Sequence, residues 1–221
     1  MLDLLLPQRC VVCARAGRQL CSGCRAGLLP LSPPLCARCG APTAWPVQRC
    51  LECAGRRLAF ATARAAVAYD DAARRLVHAW KEHGLRRLAR EAAEIVAERL
   101  PPPSVDALTF VPAERLRRLE RGQNPAEHLA RELGAAWTLP CLSLLERTRG
   151  GRQRGRSAAE RRTLHGAFAA RGPAPRRVAL VDDVYTTGAT AAAAASALRA
   201  VGARRVEVVA FARALRRGGS R

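Results

Sequence analysis

A chain of 221 residues with 49% apolar content can bury one sizeable core and carry a small extra module, and it is too apolar to be disordered. No apolar run approaches the ~20 residues of a membrane-spanning helix. The opening MLDLLLPQRC has an acid inside its short apolar run and lacks a basic n-region and a small-residue cleavage site, so a cytoplasmic location is expected. The net charge of +20, from 38 Lys+Arg against 18 Asp+Glu, favours anionic partners and salt-dependent binding. Lys81 is the sole lysine, however, and a chain so rich in Arg and Ala reflects a compositional bias, which weakens charge as a sign of nucleic-acid binding. With 4% aromatic residues, an extensive base-stacking surface is not expected.

Eight of the nine cysteines form four C-x-x-C pairs near the start: Cys10/Cys13, Cys21/Cys24, Cys36/Cys39 and Cys50/Cys53. Two thiolates of one tight turn can hold one ion, and two such turns complete a tetrahedral Cys₄ zinc site, so eight ligands imply two structural zinc ions. Disulfides are disfavoured in a reducing compartment, and a redox C-x-x-C needs only one copy. Sequential pairing, first with second and third with fourth, is expected, although an interleaved cross-brace would use the same residues. Gly23 and Gly40 lie in or just after these turns, where unusual dihedrals are useful.

The stretch 58–69, LAFATARAAVAY, reads as a strand. Asp70 or Asp71 caps the following helix, whose Leu76, Val77 and Trp80 share one face. Gly84 interrupts, and 85–100 is a second amphipathic helix that ends at the prolines 101–103. A strand over 105–111, VDALTFV, follows. The basic loop holding Arg121-Gly122 comes after it, at the end of a parallel strand, where anionic ligands sit in open α/β sheets. Asn124 opens a helix to Leu133, with Gly134 as its stop. Residues 147–162, RTRGGRQRGRSAAERR, are the densest basic run, and their glycines predict a mobile loop. An apolar strand edge over 164–168 follows, and 206–211, VEVVAF, is a last strand before a basic tail. Cys141 reads as a buried thiol. His78, His83, His128 and His165 read as surface or edge residues. Strands alternating with helices predict an α/β fold: a mostly parallel open sheet with helices on both faces.

The stretch 178–198, VALVDDVYTTGATAAAAASAL, concentrates the chemistry. A short buried strand, 178–181, ends at Asp182 and Asp183; a Thr/Gly turn leads into an Ala-rich helix. Free backbone N–H groups and the dipole at that helix start favour an anion, and Gly188 permits close approach. Two carboxylates beside a phosphate cradle suit a ribose phosphate or a Mg²⁺ ion. VALVDDVYTTGAT resembles the phosphoribosyl-pyrophosphate (PRPP) signature of type I phosphoribosyltransferases over all thirteen positions. The resemblance implies that Asp182 and Asp183 hold the ribose hydroxyls, that Thr186, Thr187, Gly188, Ala189 and Thr190 wrap the 5-phosphate, and that Mg²⁺ accompanies PRPP.

More widely, the chain resembles the ComF family, competence-associated phosphoribosyltransferase-like proteins with an N-terminal double zinc ribbon. Its points of match are the cysteine pairs, Tyr69-Asp70 before a helix ending near Trp80-Lys81, Val111-Pro112 with Arg118, and Arg121-Gly122 with Asn124. Gln153 with Glu160-Arg161, Gly166-Ala167-Phe168 and the signature complete the set. Where the family usually reads RGFNQ, this chain has Arg121-Gly122-Gln123-Asn124-Pro125; Thr163 stands at a usual Asn and Arg156 at a usual Leu. The ribose-phosphate loop is intact, whereas the pyrophosphate and flexible loops are altered. The resemblance implies a double zinc ribbon module over 1–56, a phosphoribosyltransferase-like domain over 57–215 and a basic tail over 216–221. Two functions fit. In a phosphoribosyltransferase, Asp182 and Asp183 would fix the sugar while Arg121 and Lys81 assist pyrophosphate departure. A non-catalytic PRPP sensor or adaptor would instead hold single-stranded DNA or proteins of the DNA-uptake machinery.

Overall fold

The computed structural model describes residues 8–82, 85, 87–113, 124–148 and 166–215. The sequence features at Arg118, Arg121 to Gln123, His83, Gly84, 149–165 and 216–221 lie outside them.

The main sheet has four parallel strands, β1 (Thr62–Ala68), β2 (Ala107–Phe110), β5 (Arg177–Tyr185) and β6 (Arg205–Arg213), in the order β1-β6-β5-β2. The central strands β5 and β6 are buried along most of their length, so they carry continuous runs of Val, Ala and Leu rather than alternation. Between β2 and β5 in the chain, β3 (Leu145–Arg147) and β4 (Phe168–Ala170) form a separate antiparallel pair.

Helices cover both faces, as the sequence predicts. On one side lie α2 (Asp71–Glu82), α3 (Arg87–Arg99) and α4 (Pro125–Trp137). Their Leu76, Trp80, Ile95 and Leu129 share a core with Val181 and Phe211 of the sheet. On the other side α5 (Ala189–Ala200) packs Ala191, Ala194 and Leu198 against Leu180, Val206 and Val208. Asp70 is the residue that caps α2, its carboxylate accepting from the Ala73 N–H at 2.9 Å.

The cysteine-rich segment belongs to both cores. Cys10, Leu20 and Leu28 join the α2–α3–α4 side, while Cys36, Cys39, Ala41 and Cys53 join the α5 side. A short helix, α1 (Ser22–Ala26), carries Arg25, whose guanidinium forks onto Glu98 of α3 at 2.7 and 3.1 Å. The chain from the end of the first cysteine group into the first turn of the second runs along the open side of β1. There the Ala68 N–H donates to the Leu29 carbonyl at 2.8 Å and the Ala63 N–H to the Arg38 carbonyl at 2.9 Å. An edge strand that would otherwise offer unpaired backbone groups is thereby covered.

Several local expectations are corrected. β5 does not stop at Val181 but continues through the acidic pair to Tyr185, because β6 supplies partners for Asp182, Val184 and Tyr185. α4 passes through Gly134 to Trp137 and closes on Thr138 in the left-handed region (φ 55°), with the Leu139 N–H donating to the Gly134 carbonyl. Gly40 has a positive φ, whereas Gly23 sits inside α1 with helical neighbours. Leu145 to Arg147, the last of which begins the basic run, forms a strand because β4 pairs with it.

Candidate functional site

The eight paired cysteines gather sequentially into two groups, Cys10/Cys13/Cys21/Cys24 and Cys36/Cys39/Cys50/Cys53, with the sulfurs of each group within 4.8 Å of one another. The Sγ–Sγ separations include 3.7 Å for Cys13–Cys21 and for Cys36–Cys53, 3.5 Å for Cys39–Cys50 and 4.0 Å for Cys50–Cys53. A tetrahedral ion with Zn–S bonds of ~2.3 Å sets its sulfurs about 3.8 Å apart, so both groups fit zinc. Disulfides require ~2.05 Å and are absent, all nine cysteines being free. Thiolate ligands without an open position make structural sites.

The second constellation lies at the carboxyl end of the central strands. β5 delivers Asp182 and Asp183 side by side there. Asp183 is buried (8% exposed), and Lys81, in the last turn of α2, reaches it with an Nζ–Oδ2 distance of 2.8 Å. The Lys81 side chain keeps 28% exposure, so the pair is a half-buried bridge at the mouth of the site. Asp182 folds back, its Oδ1 accepting from the Asp183 N–H at 3.0 Å. Loss of solvent pushes the Asp182 carboxyl up to about 8, and the neighbouring charge of Asp183 adds to this, while Lys81 and Arg147 pull in the opposite direction. One ammonium against two adjacent carboxylates leaves a donor set of hard oxygens, which suits sugar hydroxyls or Mg²⁺.

Beyond Tyr185 the chain turns into α5. Thr186 and Thr187 are exposed, Gly188 is buried, and Ala189 and Thr190 are half-buried. Gly188 is the N-cap, with φ 75° and no side-chain cap. A Cβ there would meet the Tyr185 hydroxyl and stand 2.7 Å from its Cζ, so the ring packs directly beneath the loop. The Thr187 hydroxyl accepts from the Ala189 N–H at 3.4 Å. The helix start thus presents backbone donors and threonine hydroxyls close to two carboxylates, an arrangement that can hold a phosphate beside a polyol.

Asn124 sits at the start of α4, 6% exposed. Its Oδ1 accepts from the Ala126 N–H and its Nδ2 donates to the Val111 carbonyl, both at 3.2 Å. It therefore fixes the helix start to the end of β2, and Pro125 at the first helical position completes the cap. The structure brings together Asp182, Asp183, Lys81 and the turn at 186–190, whereas Arg121 falls outside the described residues. His78 is exposed and His128 half-buried. Cys141 is half-buried, and burial of its thiol raises its pKa, which makes it a poor nucleophile.

Three contributors were not legible in the sequence. Arg56, just past Cys53, donates through Nη1 to the Thr187 carbonyl. Arg213, 2% exposed, lies under the site with its guanidinium 4.8 Å from the Tyr185 ring centroid. Tyr185 itself, inside the signature, packs edge-on to Phe60 at 6.2 Å. A single arginine cannot be distinguished among so many, and only the register of β5 with β6, which pairs Tyr185 with Arg213, could have singled one out.

A double zinc ribbon domain model matches residues 1–55. Competence protein F of Haemophilus influenzae is 31% identical over 228 residues, covering 93% of this chain and 97% of that one. The chain belongs to the ComF family. A second relative, DNA utilization protein YhgH of Salmonella typhi, is 30% identical and covers 93% of this chain and 90% of its own. Among solved structures, the glutamine PRPP amidotransferase from B. subtilis complexed with ADP and GMP matches with a TM-score of 0.40. It is 23% identical and covers 55% of this chain and 25% of that one. As in the ComF description, a Cys-rich zinc-binding module precedes an α/β domain with a parallel sheet. Among the described residues no helix is long and apolar enough to cross a membrane.

Proposed function

We propose that this ComF protein binds PRPP, or a product carrying ribose 5-phosphate, at the end of β5. The observation that carries the reading is the adjacency of two carboxylates, one held by Lys81, to the Gly188-capped start of α5. Asp182 and Asp183 accept the ribose hydroxyls. Thr186, Thr187 and Thr190, with the backbone at Gly188 and Ala189, take the 5-phosphate. Bound Mg²⁺, held with PRPP by the acidic pair, would offset the charge of pyrophosphate.

Phosphoribosyl transfer develops positive charge at the sugar C1 as pyrophosphate leaves, and a protein accelerates this by orientation and charge rather than by a covalent nucleophile. Asp182 and Asp183 lie on the ribose side of that charge, and the Lys81 ammonium, 2.8 Å from Asp183 Oδ2, orients that acid. Arg121 and the basic residues beyond Arg147 would receive the pyrophosphate. Calorimetric titration with PRPP and Mg²⁺, beside ribose 5-phosphate, tests the site. The Asp182→Asn/Asp183→Asn double variant should lose at least about tenfold in affinity, because losing even one hydrogen bond to a charged group costs about 1.5–3 kcal/mol. Equal affinity in the double variant would refute the assignment. Pyrophosphate release with a panel of bases and amines then tests turnover.

A second reading rests on the names of the relatives, one a competence protein and the others DNA utilization proteins, and on the net charge of +20. Here the protein is a PRPP-responsive adaptor that contacts single-stranded DNA or partners of DNA uptake. Salt-sensitive binding of single-stranded DNA by protein that releases no pyrophosphate would favour it.

A further inference from the structure

The second cysteine group and the phosphate turn are neighbours, and two arginines join them. Arg213, at the end of β6, is a guanidinium with 2% exposure. It donates to the Cys39 carbonyl at 2.6 Å, to Glu52 Oε2 at 2.8 Å and to Cys39 Sγ at 3.7 Å, and it stacks on the Tyr185 ring. Burying a cation without negative partners is strongly unfavourable. Four thiolates around a dication leave a net double negative charge, and with Glu52 this supplies the compensation Arg213 needs. Tyr185 in turn occupies the space beneath Gly188. Arg56 makes the second link from the same cysteine group, donating to the Thr187 carbonyl. The group is itself clamped to β1. Gly40 has φ 68°, and a Cβ there would stand 2.5 Å from the Ala63 carbonyl oxygen, while Arg64 donates to the Ala37 carbonyl at 3.1 Å.

We propose that the Cys36/Cys39/Cys50/Cys53 site is the scaffold of the phosphate turn, with Arg213 and Arg56 as the positioning residues that transmit it. Arg213 sets the ring on which Gly188 rests, and Arg56 pins the turn from its open side. The zinc site thereby becomes part of the ligand site rather than a separate module. The first cysteine group docks on α2 and α3 through Arg75 and Arg25, and among the described residues no such route leads from it to the turn. That the turn holds a phosphate rests on the function proposed above; the mechanical link does not.

The test is site-resolved amide hydrogen exchange on the zinc-loaded full chain without ligand. Peptides covering 184–192 are compared with peptides covering β2. Arg56→Ala and Arg213→Met should each speed exchange in 184–192 about tenfold, the factor for losing one hydrogen bond to a charged group. β2 should be unchanged and zinc should stay at two ions per chain. Arg56→Lys, which keeps the charge and a donor, should return exchange to within about threefold of the parent. Unchanged exchange in 184–192, or an equal rise in β2, would overturn the proposal. If Arg213→Met does not fold, Arg56→Ala, on a half-exposed side chain, decides by the same criteria. A ribose 5-phosphate titration of the parent separates the two ideas. No binding there with the exchange result intact removes the phosphate reading and leaves the scaffold standing.

Discussion

Gly188→Ala is the sharpest probe of the turn, because two independent effects act at one position. The residue has φ 75°, a region that costs a side-chain-bearing residue about 1–2 kcal/mol. The added methyl would also overlap the Tyr185 ring, with Cζ at 2.7 Å and Cε2 at 3.0 Å, and overpacking of this kind costs about 1–3 kcal/mol. The sum is about 2–5 kcal/mol in the wild-type background. Tyr185→Leu removes the ring, so Gly188→Ala in that background should cost only the backbone share of about 1–2 kcal/mol. A double-mutant cycle from urea unfolding therefore predicts a coupling of about 1–3 kcal/mol. A Gly188→Ala cost that is the same with and without the tyrosine ring would show that the ring does not support the turn. A cost near zero would mean that the turn lacks the left-handed geometry altogether.

Three further outcomes follow from the same geometry. Desolvation and Asp183 raise Asp182 from an unfolded value near 4 to about 8, so the folded chain holds a proton there that the unfolded chain releases. Stability from this group is complete below pH about 4 and declines as pH rises toward 8; Asp182→Asn should flatten that decline in melting curves at pH 5 to 8, and parallel curves would contradict the desolvated environment. Asn124→Ala removes a cap and the link to the Val111 carbonyl, and chemical denaturation should register a loss of about 1–3 kcal/mol, whereas Asn124→Asp should retain the cap and lose only the link. Chelation of zinc should lower the melting temperature of the whole chain, since cysteines of both groups lie in the sheet's two cores; a sheet melting unchanged after zinc removal would show that the ribbons are dispensable to it.

Much of the site was legible because its chemistry is local. Four C-x-x-C turns announce their ligands by spacing, and sequential grouping is the shortest way for neighbouring turns to meet. The acidic pair, the glycine turn and the helix start lie within nine consecutive residues, so the backbone alone brings them together. The length of β5 was misread for the opposite reason. Two carboxylates look like the end of a strand, yet β6 lends them backbone partners and their side chains leave at the sheet's end. Gly134 likewise looks like a stop signal, but the helix's last turn closes on Thr138 and tertiary packing carries it past the glycine.

The sequence by itself determined the eight cysteine ligands, the alternation of strands and helices, and the order of groups along the turn after β5, because each depends on residues close together in the chain, while the grouping of the cysteines into two sites came from the structure. Only the tertiary structure decided the rest. Lys81 and Asp183 are 102 positions apart in the sequence, as α2 must pack on the face beneath β5 before its last turn can reach the acid. Arg213 meets Cys39 and Glu52 from the far end of the chain because β6 lies beside β1, and β1 is the edge that the cysteine segment covers. Long-range pairs of this kind are set by sheet order and register, and those follow from burying both faces of the sheet at once.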